Sequence, residues 1–310
     1  MTAASLPVSA DALIRKLQHP ARKIRMVLDT DTFNEIDDQF AVVYALTSPD
    51  AVEVEALYAA PFFNELSSGP ADGMEKSYQE ILRILGLLGR TDVPAYRGST
   101  SYLPKEGGGF VDSDAARNIV QRAMASDPTN PLYVVAIGAI TNIASALRME
   151  PAIADRIVIV WLGGHSFQWP NTKEFNLYQD IPAARTVFDS GAPVVLVPCM
   201  GVASHLQTSL SEIRDYVKDA GPIGEYLYGT YRNCAKDHFA YTRVIWDIAT
   251  IAWLVDPSWA PSIVAPSPRV SDDGRWIPDP TRHPIRYVYH LHRDPIFRDL
   301  FQKIATAGGG

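Results

Sequence analysis

Short, continuous apolar runs alternate along this chain with segments in which apolar residues recur every three or four positions. The runs at 24–28, 52–60, 132–138, 156–164 and 192–198 have the length of strands and are rich in valine and isoleucine. Between them lie the helical patterns IDDQFAVVYALTS, KSYQEILRILGLLGR, ARNIVQRAMA, TNIASALRM and PAARTVF. Strands apolar on both sides of the pleat, separated by amphipathic helices, predict a mostly parallel sheet covered on both faces. The last third is more helical, through SLSEIRDYVKD, GEYLYGTYRNC and WDIATIAWLVD, before a strand at PIRYVYHL and a closing helix at PIFRDLFQKIA. Residues 107–109 and 257–284 read as loops or insertions. No internal repeat or long Gly/Ser linker divides the chain, so residues 1–310 are expected to form one domain, with 1–22 as an N-terminal extension. The expected class is α/β, an open, mostly parallel (mixed) sheet with helices on both faces.

Composition narrows the partners more than it narrows the fold. With 47% hydrophobic and 20% charged residues, the sequence is that of a soluble globular protein. A net charge of -7 argues against a nucleic-acid partner, which calls for a basic stripe. It leaves room for a small neutral ligand. The two cysteines, Cys199 and Cys234, are too few for a disulfide framework and lack metal-ligand spacing, so both are expected as reduced interior or near-interior residues. The first 23 residues lack the apolar core of a secretory signal, and no run approaches the roughly 18 apolar residues of a membrane span. The expected compartment is the cytoplasm, with no membrane partner.

In open α/β sheets, ligands bind beyond the carboxyl ends of the strands. The first strand runs into MVLDTDTFNEIDDQFA, which places Asp29, Asp31, Glu35, Asp37 and Asp38 within ten positions. Five carboxylates this close repel one another unless a cation or protons neutralise them. Asp37 and Asp38 would also suit the positive end of the following helix, but capping accounts for one or two acids, not five. Oxygen ligands suit calcium or magnesium rather than zinc. The string VLDTDT looks like the haloacid-dehalogenase phosphatases, in which Asp29 would be a nucleophile and Asp31 an acid/base.

A longer series of motifs points elsewhere. DTDTFNEIDDQFA resembles the opening Asp-x-Asp-Pro-Gly-x-Asp-Asp of the inosine-uridine-type nucleoside hydrolases, with two extra residues between its halves. Asn64 in AAPFFN falls where that family carries an asparagine after the second strand. AIGAITNIASAL resembles the family's Gly-x-x-Thr-Asn segment, and WLGGHSFQWPNTKEFNLYQDIPAARTVF its Gly-Gly to Glu-Phe-Asn stretch. WDIATIAWL resembles the late helix that opens with an aspartate. The likeness covers residues 24–306 with five ordered motifs, far more specific than one short pattern.

This resemblance implies hydrolysis of the N-glycosidic bond of a ribonucleoside around one Ca2+ ion, in a homodimer or homotetramer. It implies that Asp31, Asp38, the Ile137 carbonyl and Asp247 hold the ion, with Asp31 also accepting a proton from water. Asp37, Asn64, Glu174 and Asn176 are the implied ribose contacts, and Asn171 is a further one at a spacing shorter than the family's. The two-residue expansion leaves both Asp29 and Asp31 open as the inner ligand. Many members carry a histidine before the late aspartate to serve the leaving base, but here Trp246 stands there. A tryptophan can stack on a purine, which points to a purine preference, with Tyr102 as a second aromatic wall; packing at the helix start is the competing role. His165, His205 and His238 are the candidates for a leaving-group acid, His238 first. The aromatic helix around residues 226–231 could form a subunit interface or line the pocket mouth. Two rivals stay open: the phosphatase, and a non-catalytic calcium-dependent nucleoside- or sugar-binding protein.

Overall fold

A computed structural model describes residues 10–105 and 108–307. Its strands are β1 (Ile24–Thr30), β2 (Val52–Ala59), β3 (Ala95–Tyr96), β4 (Leu132–Ala136), β5 (Ile157–Leu162), β6 (Val194–Val197), β7 (Gln207–Ser209), β8 (Thr242–Val244), β9 (Ser262–Pro266), β10 (Arg269–Val270), β11 (Trp276–Ile277) and β12 (Pro284–Val288). Eight of them form one sheet in the order β3-β2-β1-β4-β5-β6-β12-β9, and the other four make two small ribbons. Every pairing in the large sheet is parallel except β12 with β9, so the mixed α/β class holds.

The helices are α1 (Ala10–Lys16), α2 (Ile36–Leu46), α3 (Pro70–Leu87), α4 (Asp114–Met124), α5 (Thr141–Met149), α6 (Phe175–Gln179), α7 (Ile181–Asp189), α8 (Leu210–Tyr216), α9 (Gly221–Asn233), α10 (Ile248–Val255) and α11 (Arg293–Ala307). Successive side chains of a strand point to opposite faces. Along β5, Val158, Val160 and Leu162 join a core with α2, α3 and α8 to α11. Ile157, Ile159 and Trp161 join a second core with α4, α5 and α7. This double covering is why the strands are unbroken apolar runs rather than alternating ones.

Two expectations are corrected. The stretch 257–284 is not all loop: it holds β9, which pairs with β12 at the sheet edge, and the ribbon β10–β11. β9 lies between Pro261 and Pro266 with Ile263 and Val264 exposed, so its own pattern carries no buried face. The expected N-terminal extension is integrated where it is described. Leu13 and Leu17 are buried, the Arg286 guanidinium donates to the Leu17 carbonyl, and His19 Nε2 lies 3.0 Å from the Leu254 carbonyl. Residues 1–9 of that extension, and Gly107 of the expected loop 107–109, lie outside the described residues.

β1 is flanked by β2 on one side and β4 on the other, so strand order reverses between β1 and β4. Such a reversal leaves a crevice at the carboxyl ends of the strands, the preferred ligand site of this architecture. Leu28, opposite Leu57 and Val135, anchors the central strand that leads into it. Replacing this fully buried residue by alanine is expected to cost about 2–5 kcal/mol in urea unfolding. Phe239→Ala, at a side chain 90% exposed, should stay within about 0.5 kcal/mol.

Candidate active site

The crevice is a cavity of about 260 Å³ at the ends of β1, β4, β5 and β6, with the start of α10 completing its wall. β1 delivers Asp31 just past its last residue, and the Asn34 N–H donates to the Asp31 carbonyl at 2.7 Å, turning the chain into α2. The first turn of α2 carries Asp37 and Asp38, and Asp247 stands immediately before α10. All four aspartates line the cavity, and none is more than 3% exposed.

One carboxylate oxygen from each of Asp37, Asp38 and Asp247 lies within 4.8 Å of the others. Asp38 Oδ1 accepts the Thr30 hydroxyl at 2.5 Å, and Asp37 Oδ2 accepts the Trp246 N–H at 3.1 Å. Both Asp31 oxygens and Asp37 Oδ1 are buried with no hydrogen-bond partner. Burial, then the neighbouring acids, hold the carboxyls of Asp31, Asp38 and Asp247 well above the usual carboxylate range. Burial and Glu35 push Asp37 up to about 7, against the Arg243 guanidinium, which pairs with Glu35 at 3.0 Å. Buried, unpartnered and mutually repelling oxygens fit a hard divalent cation, and no nitrogen or sulfur ligand is needed.

Asp29 does not line the cavity. Its Oδ1 accepts the Asn142 amide at 2.7 Å, and burial pushes its carboxyl up to about 7. Asp31, not Asp29, therefore faces the crevice, which leaves the phosphatase reading without an exposed nucleophile. Gly138 fixes how close β4 comes: a Cβ there would stand 3.0 Å from Asp31 Oδ1 and 3.0 Å from the Ala60 Cβ.

Ile137, Glu174, Asn176 and Trp246 also line the cavity. The Asn176 amide donates to the carbonyls of Ile137 and Leu162, both at 3.1 Å. Glu174 caps α6, accepting the N–H groups of Asn176, Leu177 and Gly164 at 2.8–3.0 Å. It is thus as much a fixer of the backbone as a cavity wall. Trp246 is half-buried and packs on the core as well as lining the cavity, so the packing role expected at the helix start is met.

Four expected contacts are not among the lining residues. Asn64 stands one step back, donating to Asn34, which does line the cavity, at 2.6 Å. The Tyr102 hydroxyl donates to Gln179 at 2.5 Å. Asn171 accepts the Lys173 N–H in a local turn. His238 lies against the Arg232 carbonyl between Tyr231 and Tyr241. Of the three candidate histidines, His165 is the one that lines the cavity. The aromatic helix α9 does not line the cavity: Tyr231 is buried with its hydroxyl on the Thr208 carbonyl, and Tyr226 donates to Glu80.

Asn34, Cys199 and Met200 line the cavity without having been expected there. Cys199 and Met200 follow the apolar run of β6, so the strand-end rule applied there would have found them. Both cysteines are free thiols, and burial pushes that of Cys199 well up.

A sequence profile of the inosine-uridine preferring nucleoside hydrolases matches residues 26–286. The chain belongs to this family of N-glycosyl hydrolases. It is 29% identical over 249 residues to the pyrimidine-specific ribonucleoside hydrolase RihA of Citrobacter koseri, covering 71% of this chain and 76% of that protein. The purine-preferring ribonucleoside hydrolase of Gardnerella vaginalis shares its fold, with a TM-score of 0.74 at 23% identity over 92% of this chain and 99% of that one. A plant nucleoside hydrolase does likewise, with a TM-score of 0.72 at 22% identity over 91% and 99% of the two chains.

The raised carboxyls give stability a direction with pH. Without a cation, the folded protein retains protons on Asp29 and Asp37 that the unfolded chain releases from about pH 4 upward. Their contribution is complete below that value and lost as pH rises towards about 7. In chelator, the melting temperature is expected to fall between pH 5 and pH 7.5. Added calcium should raise it, and more so at pH 7.5. A melting temperature indifferent to both chelator and calcium would remove the cation from the account.

Proposed function

We propose that this enzyme hydrolyses the N-glycosidic bond of ribonucleosides to ribose and free base, with a preference for purines. The observation that carries the reading is the set of buried, unpartnered aspartate oxygens at the strand-order reversal, within a chain of nucleoside hydrolase sequence. Asp31, Asp38, the Ile137 carbonyl and Asp247 are the groups we assign to a calcium ion, the hard cation for which an all-oxygen donor set is suited. The chemistry such an ion supplies is alignment of the ribose hydroxyls and acidification of the attacking water.

The chain's own residues do the rest. Asp31 accepts the proton of the attacking water. Burial raises its carboxyl well above the usual carboxylate range, the direction that strengthens a base. Asp37, beside Asp38 and Asp247, contacts a ribose hydroxyl and opposes the positive charge that grows on the sugar as the bond breaks. Asn176 and Glu174 contact the remaining hydroxyls; Glu174 Oε1, which accepts a single backbone N–H, keeps a lone pair for one of them. Asn64 acts through Asn34. Asn171 is left out, since its side chain is engaged in its own turn. A site built for hydroxyls rejects deoxy analogues, by up to about 10⁴-fold.

The purine preference rests on Trp246, whose half-buried ring lines the cavity. The relatives' names point both ways, pyrimidine-specific for the Citrobacter koseri protein and purine-preferring for that of Gardnerella vaginalis.

Asp31→Asn, which keeps the shape and removes the proton acceptor, should lower kcat by at least about 10²-fold in a reducing-sugar assay. Unchanged turnover in that variant would remove Asp31 as the base. Inosine is expected to exceed uridine in kcat/KM, and Trp246→Ala should cost about 10-fold to 100-fold on inosine, the worth of one base stack. A clear uridine preference would overturn the stacking role. Ribose binding without turnover would instead support the non-catalytic binding protein.

A further inference from the structure

Cleaving a ribosyl–base bond sends the bonding electron pair to the base, so the wall beside the base needs a donor. Trp246 lines the cavity and is assigned to stacking on the base. Among the other cavity-lining groups, the Asn176 amide is already spent on two carbonyls, and Lys173 is exposed. The turns after β5 and β6 bring a further donor to the wall, His165.

These two turns interlock. The Cys199 N–H donates to the Gly164 carbonyl at 2.8 Å, and the Ser166 N–H to the Met200 carbonyl at 3.0 Å. His165 sits between them, held at three points. Its N–H donates to Thr172 Oγ1 at 2.8 Å, and its carbonyl accepts the Trp276 indole N–H at 2.8 Å. Its ring Nδ1 accepts the Met200 N–H at 3.4 Å. The Trp169 ring packs edge-on at 6.1 Å. Gly164 is required before it. Its φ is +69°, and a Cβ would come within 2.4 Å of Thr172 Oγ1 and 2.5 Å of Trp276, the two groups that hold the His165 backbone.

A ring nitrogen that accepts a hydrogen bond cannot carry the proton of a neutral imidazole, so the proton is assigned to Nε2. Burial lowers the pKa of the ring, which keeps it neutral and keeps that tautomer at neutral pH. We propose that His165, as a neutral imidazole pinned by the Met200 amide, donates its Nε2–H to the departing base.

This rests on the hydrolase reading and adds a residue to it. Water gives its hydroxyl to the sugar's anomeric carbon and a proton to Asp31. The pair of the breaking carbon–nitrogen bond passes to the base, where the Nε2–H bond strengthens as negative charge grows. The base then takes its proton from solvent, and His165 ends as it began. A fixed donor aimed at developing charge contributes about 10²–10³-fold in rate.

The test compares inosine and uridine with 4-nitrophenyl riboside, whose leaving group departs without help. His165→Ala should lower kcat on the nucleosides by about 10²-fold with little change in KM, and stay within about threefold on the nitrophenyl riboside. His165→Gln, which keeps an N–H donor, should recover part of the loss. Equal losses on both substrate classes, or no loss on either, would overturn the role of His165 while leaving the hydrolase reading intact. Wild-type protein that cleaves neither class would overturn both. Nitrogen-15 shifts of the His165 ring in the wild-type protein give a readout that does not depend on how a variant folds: the Nε2–H tautomer is expected, and the Nδ1–H tautomer would overturn the assignment.

Discussion

Four aspartates with at most 3% exposure face one cavity, and their mutual repulsion is the constraint on which this protein's architecture turns. Buried like charges are tolerable only when protons or a cation neutralise them. In the absence of either, the repulsion would push apart α2, α10 and the end of β1, the elements that close the crevice. The rest of the structure opposes that tendency. α2 and α10 pack through an apolar interior that includes Phe40, Val43, Ile251 and Trp253, all buried. The Thr30 hydroxyl and the Trp246 N–H each take up one of the oxygens. The stability of the interior thus holds the carboxylates in an arrangement they would not adopt alone, which is how a binding site is preorganised.

The parallel sheet makes the convergence possible. A parallel strand places its carboxyl end on the same edge as its neighbours', so residues distant in sequence arrive together. Asp31 and Asp247 are over 200 positions apart, yet both line the same cavity. Close approach is set by what is missing at Gly138 and Gly164. At the first, a side chain would press on Asp31; at the second, it would strike the groups that hold His165. Backbone positions, as much as functional side chains, give the site its shape.

The same logic separates the two sides of the cavity. One is built from carboxylates and amides at the starts of α2, α6 and α10. The turns after β5 and β6 bring sulfur, imidazole and backbone amides instead. Glu174 links the two, since one of its oxygens accepts the N–H of Gly164, which precedes His165. A change at Glu174 would therefore be felt on both sides, because it caps α6 and fixes the turn at once.

Much of this was already present in the amino-acid order. Continuous Val/Ile runs require burial on both faces, which dictates the covered parallel sheet, and five acids after the first run require neutralisation. Ordered motifs marked Asp38, Ile137, Glu174, Asn176 and Asp247, and all of them line the cavity. What periodicity could not give was anything decided by long-range pairing. β9 has no buried face of its own, and β3 is two residues long, so each is a strand only because its neighbour is there. Whether Asp29 or Asp31 faces the crevice depended on Asn142, 113 positions away from Asp29, capturing that carboxylate. That His165 and not His238 meets the cavity depended on two turns interlocking across adjacent strands. A sequence specifies which groups need partners, because charge and burial are properties of residue type. Which partner each one finds is a matter of three-dimensional proximity, and only the folded chain decides it.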